Sequence, residues 1–291
     1  VYKLWEGSWE EDAVVRDRDR GIFAQPEKVH RIVHHGENYR VDAIHLCEPS
    51  PQRTPVLYQA GASGRGREFA ARHAECVFMS APSKQVVAPL VADIRARAAR
   101  LGRDPRDILM FTLVTVIPGE TAAAAKAKLA DYRSHISHEG ALALLSGWTG
   151  VDFSRYAPDD ALRYIKNDAM NSAIEALTVA DPDKVWTVRE IAEHVGIGGR
   201  GPLLVGSPAQ IADELESWMA ATDVDGFNLA YAVTPESFVD FVDLVVPELQ
   251  RRGIYKREYD AGTLREKFQG SGRSRLAASH PGAGYRYRAS A

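Results

Sequence analysis

The spacing of apolar positions changes several times along this chain, and each change marks an element. The continuous apolar, β-branched run at 108–117 (ILMFTLVTVI) predicts a parallel strand covered on both faces. Pro118 and Gly119 end it, and the Ala-rich stretch at 120–132 predicts a helix. Upstream, Pro55 to Gln59 has strand character and an amphipathic helix follows at 66–75. A short apolar strand at 76–80 then leads to a helix at 83–101, with Gly102 as its stop. Downstream, Gly226 to Ala230 reads as one more short strand, and Thr234, Pro235 and Glu236 are expected to cap a last large helix. That helix runs to Gln250 and stops at Gly253. Strand and helix in repeated units argue for an α/β fold, a parallel sheet with covering helices. Four such units start at Val56, Cys76, Ile108 and Gly226. They amount to half of a (β/α)8 barrel.

Other stretches depart from this rhythm. Residues 1–18 are expected to be helical, and 28–46 alternate around Gly36, Glu37 and Asn38 as a hairpin would. Residues 134–200 form an insertion of short helical pieces, after which LLVGSPAQIADELESWM restores the pattern with a capping box at Ser207 and Gln210. The segment 271–291 is basic and rich in Gly and Ser, and is expected to be extended or mobile.

Composition narrows the class. With 45% hydrophobic and 26% charged residues the chain is an ordinary globular protein with a sizeable core. A net charge of −3 offers no general attraction to nucleic acid or to anionic membranes. Cys47 and Cys76 are too few for a disulfide framework and fit a reducing cytoplasm. No apolar run approaches a membrane span. The chain opens on Val1 in what reads as the middle of a helix, so an N-terminal part is expected to be missing.

The candidate chemistry centres on 55–75 (PVLYQAGASGRGREFAARHAE). A strand, a small-residue turn and a helix start meet there, which brings free backbone N–H groups and the positive end of a helix dipole to one point. Such a point suits an anion, most often a cofactor phosphate. The glycine order matches neither a Walker A loop nor the Rossmann fingerprint. A plain reading also stands: a tight turn that needs glycine only for its backbone angles. Ser63 and the arginines at 65 and 67 favour the anion.

Other features carry less. His30, His34, His35 and His45 crowd the hairpin, but adjacent strand residues point to opposite faces, so a solvated hairpin is preferred to a metal site. His135 and His138 share a helix face and are expected at the surface. TVREIAEHVGIGG at 187–199 has the look of half a helix-turn-helix, yet GRGPLLVGSP follows where a recognition helix would have to be. The aromatics Trp148, Phe153, Tyr156 and Tyr164 either close a small satellite core or belong to a lid.

Together these residues resemble a known family. QAGAS after a buried strand, then GREFAARHAE and a short apolar strand, is similar to the flavin-dependent monooxygenases of the bacterial-luciferase superfamily. The branch is that of the nitrilotriacetate, dibenzothiophene-sulfone and long-chain alkane monooxygenases. LWEGSWEEDAVVRDRDRGIFA, LLVGSPAQIADELESWM, DGFNLAYAVTPESFVDFVDLVVPELQRRG and LREKF agree with it, over nearly the whole chain. The resemblance implies a luciferase-like (β/α)8 TIM barrel, of which residues 1–270 would be the C-terminal part. It implies FMN across the C-terminal strand ends, with Gln59, Gly61, Ala62 and Ser63 at its phosphate. Reduced FMN would come from a separate NAD(P)H-dependent flavin reductase, and one atom of O2 would enter a small organic or xenobiotic substrate. A homo-oligomer is implied as well. No catalytic residue can be carried over, because the half of the barrel that supplies the ring contacts has no counterpart here. A deazaflavin-dependent oxidoreductase and a non-catalytic flavin-binding barrel subunit remain as alternatives.

Overall fold

A computed structural model of the chain describes residues 1–163, 171–178, 180–181, 183–197 and 199–287. Gly198, Tyr164 and the last residues of the tail, 288–291, lie outside the described residues.

The first region departs from expectation. Instead of one helix over 1–18, α1 (Tyr2–Gly7) is followed by a small hairpin of β1 (Val14–Asp17) and β2 (Ile22–Ala24). Helix α1 ends because residues 8 and 9 are committed elsewhere. Ser8 Oγ accepts the His45 N–H at 3.0 Å, and the Trp9 indole donates to His45 O at 2.8 Å. The β-branched pair Val14 and Val15 then favours extended backbone. The second hairpin is present as read: β3 (Ile32–His35) pairs antiparallel with β4 (Arg40–Ala43).

The repeated units build the main sheet. In order come β5 (Tyr58–Ala60), α2 (Gly64–His73), β6 (Cys76–Met79), α3 (Lys84–Arg100), β7 (Leu109–Pro118) and α4 (Ala122–Ser134). The insertion supplies α5 (His138–Thr149), α6 (Asn171–Thr178) and α7 (Val188–Gly196), and β8 (Leu203–Gly206) follows it. Then follow α8 (Pro208–Thr222), β9 (Gly226–Ala230), α9 (Glu236–Asp240), a π-helical turn at Phe241–Val245, α10 (Val246–Arg251) and α11 (Leu264–Gln269). The sheet has five strands, all pairs parallel, so β8 is an addition to the four units read from the sequence. It joins only the upper end of β7, from Thr115 to Pro118, while β9 runs along 111–115. The expected Thr234 cap is absent. The helix begins after a cis Thr234–Pro235 bond, and Ser237 Oγ accepts the N–H groups of Ala232 and Val233.

Alternation along the strands sorts two faces. Val77, Met110, Val114 and Val116 point at the helices and are buried in clusters with α3 and α8. Each such side chain contributes about 1.5–3 kcal/mol by leaving water. Leu109, Phe111 and Leu113 face the other way and are only half-buried. Burial on both faces, expected for β7, therefore holds only for its upper half, Val114 to Pro118. The reason is topological: among the described residues β5 pairs only with β6 and β9 only with β7, so the sheet does not close and no opposite wall covers its concave face. An aromatic row occupies that face, with Tyr58 on Phe78 at 5.2 Å, Phe78 near Phe111 at 5.8 Å, and Phe268 of α11 near Phe111 at 6.2 Å.

The insertion has its own core, in which Leu145, Phe153, Ile174, Ile191 and Val195 pack together against Trp148 and Tyr156. Three of the aromatics read from the sequence thus close a satellite core. Residues 271–287 carry little regular structure, yet they bury Leu276, His280 and Ala283. Their arginines find acidic partners far away in sequence: Arg273 with Asp107, Arg275 with Glu11, Arg286 with Glu6. Pairings of that range leave no trace in composition, which is why this segment read as unattached. No helix among the described residues is long and apolar enough to cross a membrane.

Candidate functional site

Where β5 ends, the chain turns at Gly61 with φ +120°, a conformation that side chains rarely adopt. Ser63 follows in extended backbone and caps α2, its Oγ accepting the Gly66 N–H at 3.1 Å. A Cβ on Gly66 would stand 3.1 Å from Ser63 Oγ and 3.2 Å from Gly61 O, so glycine is what lets the turn close on the helix. The N–H groups of Gly64 and Arg65 precede any carbonyl of the helix that could accept them, and the dipole adds positive potential there. The Ser63 hydroxyl hydrogen is still available to donate while its oxygen accepts.

The four residues singled out from the sequence are not equivalent in place. Gly61 and Ala62 line a cleft of about 310 Å³. Ser63 is exposed at the start of α2. Gln59 lies behind the turn, on the face where its strand partner Val77 is buried; its Nε2 donates to Ala60 O at 2.7 Å. Its Oε1 is buried without a partner.

The cleft lies across the C-terminal strand ends, where (β/α) folds place their sites. Ala60, Phe78, Leu113 and Asn228 come from β5, β6, β7 and β9, and Ser80 from the turn after β6. Val86 and Leu90 of α3 and Ala176 of α6 close an apolar side. Ser80 Oγ is buried there without a partner, an unsatisfied group of the kind that asks for a ligand or water. The cations are Arg67 and Arg200. Arg200 lies 5.1 Å from the Trp148 ring centre, and burial pushes its pKa below the usual value. Arg67 Nη1 donates to Ala62 O at 2.8 Å, and its Nε stands 2.6 Å from Asp93 Oδ2. Burial pushes the Asp93 carboxyl up, but Arg97 and Arg67 outweigh it and hold the group below the usual carboxylate range. Neutral N–H donors, a hydroxyl and a nearby guanidinium suit a phosphate dianion.

A larger cleft, about 610 Å³, lies on the helical outside between α3, α7 and α8, lined by Trp186, Trp218 and His194. It meets the strand-end turns only at Pro82, and its Lys84 is already paired with Glu214. The histidines of the hairpins are dispersed: His30 stacks on Tyr287 at 4.1 Å, and His45 bonds the Cys47 carbonyl. Among the described residues no group of three or more His, Cys, Asp or Glu side chains is arranged to hold a metal ion.

Sequence reasoning missed Ser80, Asn228 and Arg200 at the cleft and the grip of Arg67 on the turn. The first two were within reach, since the ends of parallel strands are where such sites collect. Arg200 was not, because its place depends on how the insertion folds back.

The family model of the luciferase-like monooxygenases matches residues 3–226. The chain is 50% identical over 286 residues to the dimethyl-sulfide monooxygenase of Hyphomicrobium sulfonivorans, covering 98% of this chain and 60% of that protein. The crystal structure of that organism's DmoA superposes with a TM-score of 0.87. The long-chain alkane monooxygenase of Geobacillus thermodenitrificans is 46% identical, again over 98% of this chain and 60% of its own length. A riboflavin lyase solved with a modified FMN and riboflavin superposes with a TM-score of 0.88 at 36% identity, over 99% of this chain and 63% of that one. The chain thus spans about 60% of the length of these curated relatives.

Proposed function

The chain belongs to the luciferase-like monooxygenase family, and on that premise we propose that its strand-end cleft binds FMN for an O2-using monooxygenation. The observation that carries this reading is the turn whose Gly61 and Ala62 line the cleft, backed by Ser63 and the start of α2. In it, the N–H groups of Gly64 and Arg65 and the Ser63 hydroxyl hold the flavin phosphate. Bound in its reduced form, FMN supplies the two electrons that let one oxygen atom enter a substrate while the other leaves as water. The residues of this chain bind and orient, and Phe78, Met79 and Leu113 keep water from the apolar side of the cleft. Reduced FMN is delivered by a separate NAD(P)H-dependent flavin reductase, and the assembly is a soluble homo-oligomer in the cytoplasm.

The substrate we propose is a small uncharged organic compound. Two relatives at 46–50% identity, a dimethyl-sulfide monooxygenase and a long-chain alkane monooxygenase, support an apolar class. The apolar lining from α3 and α6 supports it too.

The test has two parts. Titration with FMN and with riboflavin should give tighter binding of FMN, since only FMN has the phosphate. Addition of chemically reduced FMN and isotopically labelled O2, with dimethyl sulfide or an alkane, should then place one labelled oxygen in the product. FMN binding with no label in any product would favour a non-catalytic flavin-binding barrel. Equal binding of the two flavins would remove the phosphate turn from the reading.

A further inference from the structure

We infer that Arg67 and Asp93 form a positioning pair for the turn at 61–63, so that a carboxylate beside the anion site strengthens anion binding there. The inference rests on the FMN reading above. Arg67 holds the turn by two groups at once. Its backbone N–H bonds Ser63 O at 2.8 Å, and its Nη1 reaches back to Ala62 O, also at 2.8 Å. The two carbonyls that lead into α2 are therefore both fixed by one residue.

A trans peptide points its C=O and N–H in opposite directions. The bond to the Ser63 carbonyl consequently sets the direction of the Gly64 N–H, one of the phosphate donors, and the grip on the Ala62 carbonyl sets that of the Ser63 N–H before it. That direction needs setting, because Gly61 just before it can populate many backbone angles. The guanidinium is fixed in turn from α3. Asp93 Oδ2 stands 2.6 Å from Arg67 Nε and 2.9 Å from Arg97 Nε, and Arg97 Nη1 bonds Glu68 at 3.0 Å. Arginines and carboxylates alternate, with Arg72 also paired to Glu68 at 3.6 Å, so the cluster ties α2 to α3. Charge alone predicts the opposite role for Asp93, since a carboxylate near a phosphate repels it. The two accounts differ in sign, which makes them separable.

The probes are FMN and riboflavin, titrated against the full chain by quenching of flavin fluorescence. If the pair positions the turn, Asp93→Asn weakens FMN by roughly tenfold and leaves riboflavin unchanged. Arg67→Gln does the same, and the double variant is no weaker than either single one, because both act through one geometry. Arg67→Lys, which keeps the charge and loses the fork, behaves like Arg67→Gln. Unfolding midpoints of the variants show that each is folded at the titration temperature. Tighter or unchanged FMN binding in Asp93→Asn overturns the inference, as does a loss confined to Arg67→Gln with Arg67→Lys intact, which would make Arg67 a bare charge. A wild type that does not prefer FMN to riboflavin overturns the phosphate reading and the inference with it. That result is distinct from a wild-type preference that Asp93→Asn leaves in place.

Discussion

The two ends of the sheet treat polar groups in opposite ways. Below the strands, Arg265 is only 1% exposed, yet every face of its guanidinium is used. It bonds both oxygens of Glu75, at 2.6 and 3.0 Å, and the carbonyls of Gln52, Thr54, Pro55 and Ser274. Beside it Arg103 bonds Ala71 O and Ala74 O, both at 2.8 Å. Above the strands, Ser80 Oγ and Gln59 Oε1 are buried without partners and the first N–H groups of α2 face outward. Buried charge is tolerated only where it is paired and fully hydrogen-bonded. Arg265 and Glu75 meet that condition within the chain, although Arg103 Nε beside them is buried without a hydrogen-bond partner among the described residues. The upper end does not, and its unsatisfied donors and acceptors are what a ligand would complete. The same division runs through (β/α) barrels, in which the lower face serves stability and the upper face chemistry.

The largest expected effect lies at the lower end. Arg265→Ala leaves the buried Glu75 without its guanidinium partner, holding only the Leu57 N–H at 3.1 Å, and several carbonyls lose their donor. It should lower the free energy of unfolding by about 3–5 kcal/mol, read from urea midpoints at constant slope. A shift below about 1 kcal/mol would class the pair with exposed ion pairs and erase the contrast between the ends.

What was legible in the sequence follows the same division. The unit starting at Val56 could be read because its signals are local: an apolar run, a glycine turn and a capped helix within twenty residues. The capping box at Ser207 with Gln210 is present for the same reason. Gly102 and Gly253, read as helix stops, take φ +75° and +74°. Arg265 could not be read as a keystone, because its partner Glu75 lies 190 residues away. Nor was the short β8 counted as a unit, since its four residues carry no period of their own. At the site, the turn was legible as the point where a strand end, a glycine and a capped helix start meet. The division of labour among its residues was not, because it depends on which face of β5 each side chain takes. The helix expected over 1–18 failed for a related reason: contacts of Ser8 and Trp9 to His45 override local propensity.

At the upper end a smaller effect separates two roles of one residue. Ser63 both caps α2 and, on the FMN reading, donates to phosphate. Ser63→Ala should cost about 1 kcal/mol of stability, and Ser63→Gly only a few tenths, because glycine is a tolerated cap. If the hydroxyl meets phosphate, both variants lose FMN affinity by about 1–2 kcal/mol despite their unequal stabilities. If affinity falls only in Ser63→Ala, the hydroxyl acts through the helix start and the upper end is less specialised than the contrast requires.

The smallest effect returns to the lower end and depends on pH. His280 Nε2 lies 2.9 Å from His73 O, and its Nδ1 accepts the Gly282 N–H at 3.0 Å. This is the neutral ring with one donor and one acceptor in use, and a second proton would displace the Gly282 bond. Burial is the main cause that pushes its pKa below the ordinary 6.5; Arg103 and His73 add to it, while the bond to the His73 carbonyl and Glu75 oppose it. A group depressed in the folded state takes up its proton first in the unfolded chain. Its stabilising contribution is therefore complete above 6.5 and declines as pH falls below it. Unfolding midpoints should drop between about pH 7.5 and about pH 5.5, a window above the carboxylate range. His73 and His194 are depressed by burial too and share the slope, so the informative quantity is the difference made by one substitution. His280→Gln keeps a donor and an acceptor but cannot titrate, and it should flatten the decline. An unchanged slope in that variant would mean that the ring takes its second proton without loosening the lower end.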